Sequence, residues 1–331
     1  MQIDLRTVSI KPIRQTFTHI ADRIGPDKAA SRYQEATLDV QANANFHYRP
    51  TWDPDHEIFD TTRSRLVMKD WYVFKDPRQF YYGTYTTARS RMQETAEADF
   101  AFVERRGLGD TFAVEAKAKA LQVLIPLRHV AWGANMNNSS ICAYGYGTSL
   151  TSPCIFQAMD QLGIAQYLSR VGLLLEGPSA LDEAKDAWLN GAPWQELRRY
   201  VEDTLVLQDP IELFVAQNVA LDGLLYPLVY EKFDAALTGD AGPTVSMLLR
   251  FPSEWFTETS RWVDAVVKTA AAESPANADL LAGWVSAWRD RAQLALTPVM
   301  EAALGAAGAA TAIAEARLAF DARLAKCGVT A

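Results

Sequence analysis

The histidines of this chain are the side chains whose spacing bears most directly on metal chemistry. Two metal ions inside a helical bundle need several carboxylates and two imidazoles, which Glu-x-x-His pairs on two helices supply. The chain has four histidines, His19, His47, His56 and His129, and none of them follows a glutamate at that spacing. His56 follows Asp53, but in a proline-containing segment. The sequence therefore predicts that this chain completes no two-metal site by itself.

Nucleophilic catalysis finds no suitable pattern either. The chain has no G-x-S-x-G motif, and histidines that could act as a base are scarce. Its cysteines, Cys142, Cys154 and Cys327, are odd in number and lack a C-x-x-C spacing. This favours buried thiols in a reducing compartment over a redox or zinc role. His129 is expected to be a hydrogen-bonded core or interface residue, so these residues predict no catalytic centre.

Composition and charge narrow the class of protein further. The 331 residues are 49% hydrophobic, enough for one large helical domain or two smaller ones, and the formal net charge is -8. This charge argues against a nucleic-acid-binding protein, which needs a basic face. The N-terminus lacks the apolar core of a signal peptide, and no uncharged apolar run reaches about 18 residues. We therefore expect a cytoplasmic protein that binds neither nucleic acid nor a membrane.

The N-terminal region differs in composition from the rest of the chain. Residues 1–76 are rich in aromatic residues and proline and lack helical periodicity, apart from a short helix expected near 11–24. The stretch NFHYRPTWDPDHEIFD, at 45–60, indicates extended chain and turns. The aromatic side chains of this arm must pack either on the chain's own bundle or on a partner subunit. We take as candidates for partner contact Phe46, Tyr48, Trp52 and Trp71.

Residues 77–331 are predicted to form a helical bundle. Asp76 and Pro77 are expected to begin the first helix, which ends at Gly107, and Asp209 begins another in the same way. The other helices are expected at about 112–142, 151–175, 179–190, 194–206, 243–272, 276–305 and 309–326. Four core helices of about 25–30 residues, joined by two long connections, favour an all-α, ferritin-like bundle.

A cluster of polar residues interrupts the apolar pattern of the second predicted helix. Asn135, Asn137 and Asn138 lie within PLRHVAWGANMNNSSIC, close to Trp132. Buried amides need hydrogen-bond partners. The amides therefore form either a solvated or internal network, or a seam between subunits in which they fix the register of the helices. The sequence leaves both interpretations open, and all four residues are candidates for contact with a partner.

Six stretches of the chain resemble one family of proteins. They are SRYQEATLDVQANANFHYRPTWDPDHEIFD, DWYVFKDPRQFYYGTYTTARSRMQE, PLRHVAWGANMNNSSIC, AMDQLGIAQYLSR, LRRYVEDTLV and ALDGLLYPLVYEKFD. In these stretches, and over almost its whole length, the chain is similar to the β subunit of bacterial multicomponent phenol hydroxylases and toluene ortho-monooxygenases. NFHYRPTWDP and GANMNN are the most specific of the shared motifs.

The resemblance implies a place in a larger enzyme. In this family the hydroxylase is an (αβγ)₂ assembly, in which the α and β chains share a ferritin-like ancestry and only α holds the two irons. Electrons from NADH arrive through a reductase that contains FAD and a 2Fe–2S cluster, and a small effector protein binds the hydroxylase. The reaction inserts one atom of O₂ into an aromatic ring. The partners expected for this chain are therefore the α and γ subunits, the effector and the reductase.

The resemblance also implies the fate of the iron ligands. The α chains read approximately Met-Asp-Glu-Leu-Arg-His where this chain reads MDQLGI, which places Gln161 and Ile164 on ligand positions. A second frame, approximately Asp-Glu-Ala-Arg-His, places Thr259 and Trp262 on the other two. A neutral amide cannot supply carboxylate charge, and isoleucine and tryptophan offer iron no suitable lone pair. We therefore expect these side chains, above all Ile164 and Trp262, to fill the former metal volume at native packing density.

The resulting interpretation is a non-catalytic structural β subunit with no metal or other cofactor of its own. It would support α and help to form the groove where the effector and reductase dock. A second hypothesis is a stand-alone helical ligand-binding protein that uses a cavity left near Gln161 and Trp262, although the long aromatic arm argues against it. A third hypothesis, a catalytic oxygenase with unusual ligands, is disfavoured by the scarcity of histidine.

Overall fold

Helices make up almost all of the chain from residue 82 onward. The computed structural model describes residues 17–42 and 47–330, and no β-strand occurs within these ranges. The helices are, in chain order, α1 (Thr18–Ile24), α2 (Arg32–Thr37), α3 (Tyr82–Arg106), α4 (Val114–Leu124), α5 (Leu127–Tyr144), α6 (Thr148–Leu175), α7 (Ser179–Asn190), α8 (Gln195–Thr204), α9 (210–241), α10 (Thr244–Leu248), α11 (Arg250–Glu273) and α12 (Pro275–Lys326). The prediction of an all-α fold is confirmed.

The first long helix begins later than predicted. α3 begins at Tyr82, because the buried Asp76 carboxylate accepts hydrogen bonds from the backbone N–H and the guanidinium Nε of Arg78, each at 2.9 Å. These bonds hold the segment in a turn, and Gln79 follows with a left-handed φ of 53°, which a helix cannot include. The predicted end of this helix at Gly107 is confirmed by its left-handed φ of 60°.

The helix predicted over 112–142 is divided in two. α4 ends at Leu124 and α5 begins at Leu127, with Pro126 immediately before it. Proline has no N–H to donate and its ring clashes with the preceding turn, so it separates the two helices. α5 and α6 are joined by the short segment 145–147 and pack against each other as an antiparallel pair.

The helix predicted to begin at Asp209 is confirmed by its cap. Asp209 Oδ1 accepts hydrogen bonds from the backbone N–H groups of Ile211 and Glu212 at 2.9 and 3.1 Å. α9 then contains two π-helical segments, Val215–Leu221 and Leu228–Phe233. Every residue of the first segment is buried. Such wider turns redirect side chains and often occur at functional positions.

The C-terminal region consists of two helical stretches that meet at a kink, close to the break between the two helices that were predicted. Residues 276–305 and 309–326 belong to α12, which bends at Gly305, where φ is 72° and ψ is 161°. Glycine adopts this non-helical conformation without a steric penalty. The single helix predicted for 243–272, in contrast, is divided into α10 and α11 at Leu249.

α5, α6, α9 and α11 enclose the main hydrophobic core, and α12 packs along α9 and α11. Trp255 and Trp262 of α11 are the two largest fully buried side chains. Part of the N-terminal region shares this core, since Leu66, Trp71 and Phe74 are buried in it. Because the core includes residues from both sides of residue 76, the division of the chain into an arm (1–76) and a bundle (77–331) stays a prediction.

The aromatic residues of the N-terminal region fall into two groups. Trp71 was a candidate for contact with a partner, but it is only 5% exposed and packs against Tyr146 of its own chain. An intrachain contact therefore replaces the predicted one. Tyr48 and Trp52 have exposed fractions of 62% and 61% and stay candidates for partner contact. Phe46 lies outside the described residues.

Two helices are long and apolar enough to cross a membrane by length and composition alone. In the first, Pro210–Gly239, 94% of the most apolar stretch of 18 residues is buried inside the bundle. In the second, Pro275–Lys326, 33% of the corresponding stretch is buried. Core helices of soluble proteins meet the same criterion, so the burial of Pro210–Gly239 accounts for its composition.

Candidate functional site

The four positions that the resemblance assigned to lost iron ligands all lie in the interior. Gln161 and Ile164 are on α6, and Thr259 and Trp262 are on α11; none of the four is more than 1% exposed. The two helices are joined at this level by the Thr259 hydroxyl, which donates a hydrogen bond of 2.5 Å to Gln157 Oε1. The structure therefore brings the four positions into the space between these core helices.

The space next to Gln161 is almost completely filled. Gln161 Nε2 donates a hydrogen bond to the hydroxyl group of Tyr226 at 3.2 Å. What remains is a cavity of about 10 Å³, lined in part by Ile164, Ala134 and Asp222. A cavity of this size holds at most about one water molecule. Two metal ions with their ligands could not be accommodated there.

Trp262 fills a neighbouring part of the interior. Its ring meets that of Phe214 edge-on at a centroid distance of 5.4 Å. The guanidinium carbon of Arg78 lies 5.5 Å from the centroid of the same ring, within the range of a cation–π interaction. The indole Nε1 is buried without a hydrogen-bond partner among the described residues. The side chain therefore acts chiefly by its volume and its aromatic face.

A network of neutral amides crosses the centre of the bundle. Asn138 on α5 and Asn218 on α9 donate hydrogen bonds to each other, at 3.1 and 2.9 Å. Gln157 on α6 donates a hydrogen bond to Asn218 Oδ1 at 3.3 Å and accepts one from the hydroxyl group of Thr259 on α11. Buried amides are stable only when they are paired in this way. Hydrogen bonds between neutral side chains thus connect all four core helices.

A second amide pair extends the network toward α8. Asn137 Nδ2 donates to Gln217 Oε1 at 2.9 Å and to the Thr204 hydroxyl at 2.8 Å. Asn137 and Asn138, candidates for contact with a partner, are 1% and 0% exposed. The structure corrects that assignment, because both amides point inward and find intrachain partners. Of the two interpretations that the sequence left open for these residues, the internal network is the one observed.

Asp222 is a buried carboxyl group at the edge of the remaining cavity. Its Oδ1 accepts a hydrogen bond from Gln217 Nε2 at 2.9 Å, and its Oδ2 has no partner among the described residues. Burial raises the pKa of Asp222 to about 7, against the smaller opposing effects of the Gln217 hydrogen bond and the positive charge of Arg323. The group therefore keeps its proton up to near-neutral pH.

A layer of paired charges lies beside the amide network. The Asp160 carboxylate accepts hydrogen bonds from Arg89 Nε and Nη2 at 2.8 and 2.9 Å, and from the indole of Trp255 at 2.9 Å. Arg89 also donates to Glu258 at 2.9 Å. Burial alone would lower the pKa of Arg89, but the Asp160 charge beside it raises the pKa overall. This arrangement links α3, α6 and α11 through hydrogen-bonded charges.

The two remaining candidates for partner contact lie on the outer side of α5. Trp132 is 50% exposed, and Asn135 is half-buried and donates a hydrogen bond to the Ala158 carbonyl of α6 at 2.8 Å. His129, one turn before Trp132, stacks on Trp188 at 5.5 Å. Its burial, with a smaller contribution from nearby positive charges, lowers its pKa to about 4. His129 is therefore a neutral packed residue at neutral pH.

The residues present do not fit a metal centre. Within residues 17–42 and 47–330, no three side chains of histidine, cysteine, aspartate or glutamate form a group that could hold a metal ion. At the four positions implied by the resemblance, the amide of Gln161 is engaged with Tyr226 and the hydroxyl of Thr259 with Gln157. Ile164 offers no lone pair, and the indole of Trp262 is a donor only. No step of metal chemistry can be assigned to these residues.

Several important polar residues were not singled out from the sequence. Arg89 is one of them, and its guanidinium is buried between Asp160 and Glu258. Asn218 and Asp222 carried a usable signal, because they lie one turn apart in the mostly apolar stretch FVAQNVALDGLLYPLV, which also contains Gln217. Polar side chains four residues apart on an apolar helix share one face, and in a core helix that face needs partners.

The fold and this interior define a class of protein: a ferritin-like helical bundle with neutral side chains at its centre. The sequence model of the methane/phenol/alkene hydroxylase family matches residues 52–274. The chain belongs to that family.

Relatives with similar sequences agree with this assignment. The phenol 2-monooxygenase oxygenase component DmpL of Pseudomonas sp. (strain CF600) is 50% identical over 331 residues, which cover 99% of this chain and 98% of that protein. The oxygenase component MhpL of Acinetobacter pittii (strain PHEA-2) is 47% identical over 306 residues, or 92% of each chain. The family resemblance inferred from the sequence motifs is confirmed.

Solved structures show the same fold. A chain in the crystal structure of xenon-pressurised phenol hydroxylase from Pseudomonas sp. OX1 matches with a TM-score of 0.93 and 44% identity, covering 98% of both chains. A chain of toluene 4-monooxygenase with toluene bound in its resting active site matches with a TM-score of 0.75 and 19% identity, covering 92% of this chain and all of that one. The second likeness concerns the fold alone.

Proposed function

We propose that this chain is the non-catalytic β subunit of the oxygenase component of a phenol-type aromatic monooxygenase. Its place is in an (αβγ)₂ hydroxylase, where the α subunit holds the di-iron centre and this chain supports it. The reaction of the whole enzyme inserts one atom of O₂ into the ring of a phenol or a related aromatic compound. Support for this comes from relatives that are oxygenase components of phenol 2-monooxygenases and that match this chain over nearly its full length.

One observation carries the assignment of a structural rather than a catalytic role. The interior that would have to hold two irons is closed by Gln161, Ile164, Thr259 and Trp262, with a residual cavity of only about 10 Å³. The amide network ties α5, α6, α9 and α11 together in place of metal ligands. A bundle built in this way can hold its shape without metal and can serve as a rigid support for a neighbouring subunit.

The remaining components of the enzyme follow from the same proposal. Electrons from NADH pass through a reductase with FAD and a 2Fe–2S cluster, and a small effector protein binds the hydroxylase. None of these cofactors is assigned to this chain. The chain contributes surface to the groove in which the effector and reductase dock, and the complete assembly works in the cytoplasm.

Co-expression with the neighbouring hydroxylase subunits tests this proposal. This chain, an α chain with two Glu-x-x-His helices and a γ chain are produced together, and the purified complex is assayed for iron and for NADH-dependent hydroxylation of phenol with effector and reductase added. We expect a 1:1 complex with α that hydroxylates phenol. The chain purified alone is expected to bind no stoichiometric iron. Stoichiometric iron in the isolated chain, or no complex with α, would contradict the proposal.

The stand-alone ligand-binding hypothesis predicted a cavity near Gln161 and Trp262. The cavity beside Gln161 has room for about one water molecule, and Trp262 does not line it. This is far below the roughly 300–1,000 Å³ of a typical ligand pocket. The vacated centre is filled, so no observation favours that alternative.

A further inference from the structure

The outer side of the α5–α6 pair has an unusual composition for a surface in contact with water. Between residues 127 and 175 the sequence has only three charged side chains, Arg128, Asp160 and Arg170. Asp160 is buried in its ion pair with Arg89, so the outward side carries no acidic residue and no lysine. In the whole chain, 22% of the residues are charged. Depletion of Lys, Glu and Asp is a mark of the core of a protein–protein interface.

Large apolar side chains occupy this uncharged side. We define the α5–α6 face by its exposed apolar members, which are Trp132, Met136, Met159, Leu162 and Leu173, with exposed fractions between 41% and 50%. Tryptophan and methionine are enriched in interfaces. Next to Leu162, a side chain at Gly163 would meet nothing within 4 Å, so the backbone of α6 is open to close approach. The face extends along the 28 residues of α6, about 42 Å at 1.5 Å per residue.

The outward face of α8 has a different composition, with charged side chains that pair with one another. On α8, Arg198 bonds to Glu202 at 2.7 Å and Arg199 to Glu196 at 3.2 Å. These are the intrahelical pairs of an ordinary solvated helix. The α5–α6 face has no such pairs within itself, since it has no carboxylate to form them. Its composition therefore differs from that of an ordinary solvated helix of the same chain.

One cation on the face has no carboxylate partner in the described chain. The Arg128 guanidinium donates to the Leu181 carbonyl at 2.7 Å, and Asp182 acts on its charge without forming an ion pair. Burial lowers the pKa of Arg128, which shows that it lies in a partly desolvated position. Arg170, in contrast, pairs with Glu97 of α3 at 2.7 Å. A carboxylate on a partner that covers the face would complete the pairing of the Arg128 charge.

We propose that the α5–α6 face is the surface on which the catalytic α subunit docks, through an apolar helical surface with an acidic side chain opposite Arg128. This inference rests on the proposed function and names the surface and the partner. A second copy of this chain is the less suitable occupant, because the face has no acidic residue and two such faces would leave both Arg128 side chains unpaired. Of the sequence-based contact candidates, Trp132 and Asn135 lie on or beside this face.

Photocrosslinking in the assembled complex tests the proposal directly. A photoreactive amino acid is incorporated at Leu162 or, as a matched control, at Leu318, which is 74% exposed on α12. The chain is co-expressed with α and γ, the complex is purified, and the crosslinked products are identified by mass spectrometry. We expect position 162, and not position 318, to crosslink to α. A crosslink from position 162 to a second copy of this chain, to γ or to nothing would overturn the proposal.

Charge substitutions provide a second, independent readout. Leu162→Glu and Arg128→Glu are each expected to reduce the amount of α retained on tagged chain by at least about tenfold, with unchanged circular dichroism and melting temperature. Leu318→Glu and Arg128→Lys are expected to retain α. If all variants retain α equally, the face is not the docking site. Retention of α by the wild-type chain would then still support the proposed function. If wild-type chain retains no α, the proposed function itself fails.

Discussion

Asn138 and Asn218 donate a hydrogen bond to each other across the centre of the bundle, at 3.1 and 2.9 Å. Both side chains are buried, with exposed fractions of 0% and 1%. The pair joins α5 to α9, and Gln157 extends it to α6. These amides fix the register of the helices, because any sliding would leave several buried polar atoms unpaired.

Replacing Asn218 is therefore expected to destabilise the fold without opening a large cavity. Asn218→Leu keeps a similar volume but leaves Asn138 and Gln157 without their common partner. Each buried polar group left unpaired lowers the free energy of unfolding by about 1–3 kcal/mol. Urea unfolding followed by circular dichroism measures this change. The control is Asn190→Leu at an exposed helix end; an equal loss in both variants would show that the central pair has no special role.

Asp222→Asn is expected to change how the stability of the chain depends on pH. An ordinary aspartate in the unfolded chain has a pKa near 3.9, whereas the pKa of Asp222 in the folded chain is about 7. Below about pH 4 the group is protonated in both states. As the pH rises from about 4 to 7, only the unfolded state loses the proton, so the free energy of unfolding of the wild type falls. Above about pH 7 the folded state also loses the proton, so the free energy of unfolding falls no further and stays at its lowered value.

The amide in Asp222→Asn does not titrate, so the variant lacks this loss. The free energy of unfolding of the variant is expected to exceed that of the wild type, and this difference should be a few kcal/mol larger at pH 8 than at pH 5. Unfolding curves at several pH values provide the measurement. Asp279→Asn, at an exposed position on α12, is the matched control and should leave the pH dependence unchanged. Identical pH profiles for the wild type and Asp222→Asn would show that Asp222 ionises normally.

The helical class and most helix ends were predictable from the sequence, but several boundaries were not. The cap at Asp209 is a local signal, confined to residues adjacent in sequence, and it was predicted correctly. The same type of signal failed at Asp76, because its carboxylate is buried and taken by the side chain of Arg78. The fate of a capping residue depends on whether tertiary contacts compete for it, and a short sequence pattern carries no information on this competition.

The buried charge layer supports a third prediction. Arg89→Met removes the guanidinium that neutralises Asp160 and bonds to Glu258, and breaking a buried pair in this way costs about 3–5 kcal/mol. The double variant Arg89→Met/Asp160→Asn is expected to lose less, because no uncompensated charge remains. Chemical unfolding measures both. Arg198→Met, which breaks the exposed pair with Glu202, is the control and should change stability by less than about 1 kcal/mol.

The central site was also only partly predictable from the sequence, because its contacts join residues that are far apart in the chain. The absence of Glu-x-x-His pairs was enough to predict that this chain completes no two-metal site by itself. Only the resemblance to the α chains implied that Gln161 and Ile164 stand on ligand positions. The partner of Gln161 comes from α9, 65 residues further along the chain, where the hydroxyl group of Tyr226 accepts its hydrogen bond at 3.2 Å. Pairing across such a distance depends on how the helices pack, and the π-helical segments of α9 shift its faces away from regular spacing. Helical periodicity therefore could not identify these contacts.

Removal of about residues 1–60 is expected to separate folding from assembly. The core begins with Leu66, so the bundle should keep its helical circular dichroism signal. Its melting temperature should fall, because contacts such as the 2.8 Å hydrogen bond from the Asp76 N–H to the Tyr33 hydroxyl are lost. Trp52 is 61% exposed, and its ring meets that of Tyr144 edge-on, at 5.3 Å between centroids. Such an exposed aromatic side chain is suited to anchor a partner.

Loss of that anchor is expected to prevent co-purification of the truncated chain with the α subunit. A full-length variant, Trp52→Ala, tests the contact without shortening the chain. Because Trp52 is mostly exposed, this substitution should leave the melting temperature nearly unchanged while it weakens retention of α. If the truncated chain retains α as well as the wild type does, the arm has no part in assembly. If only the truncated chain loses α, other residues of the arm form the contact.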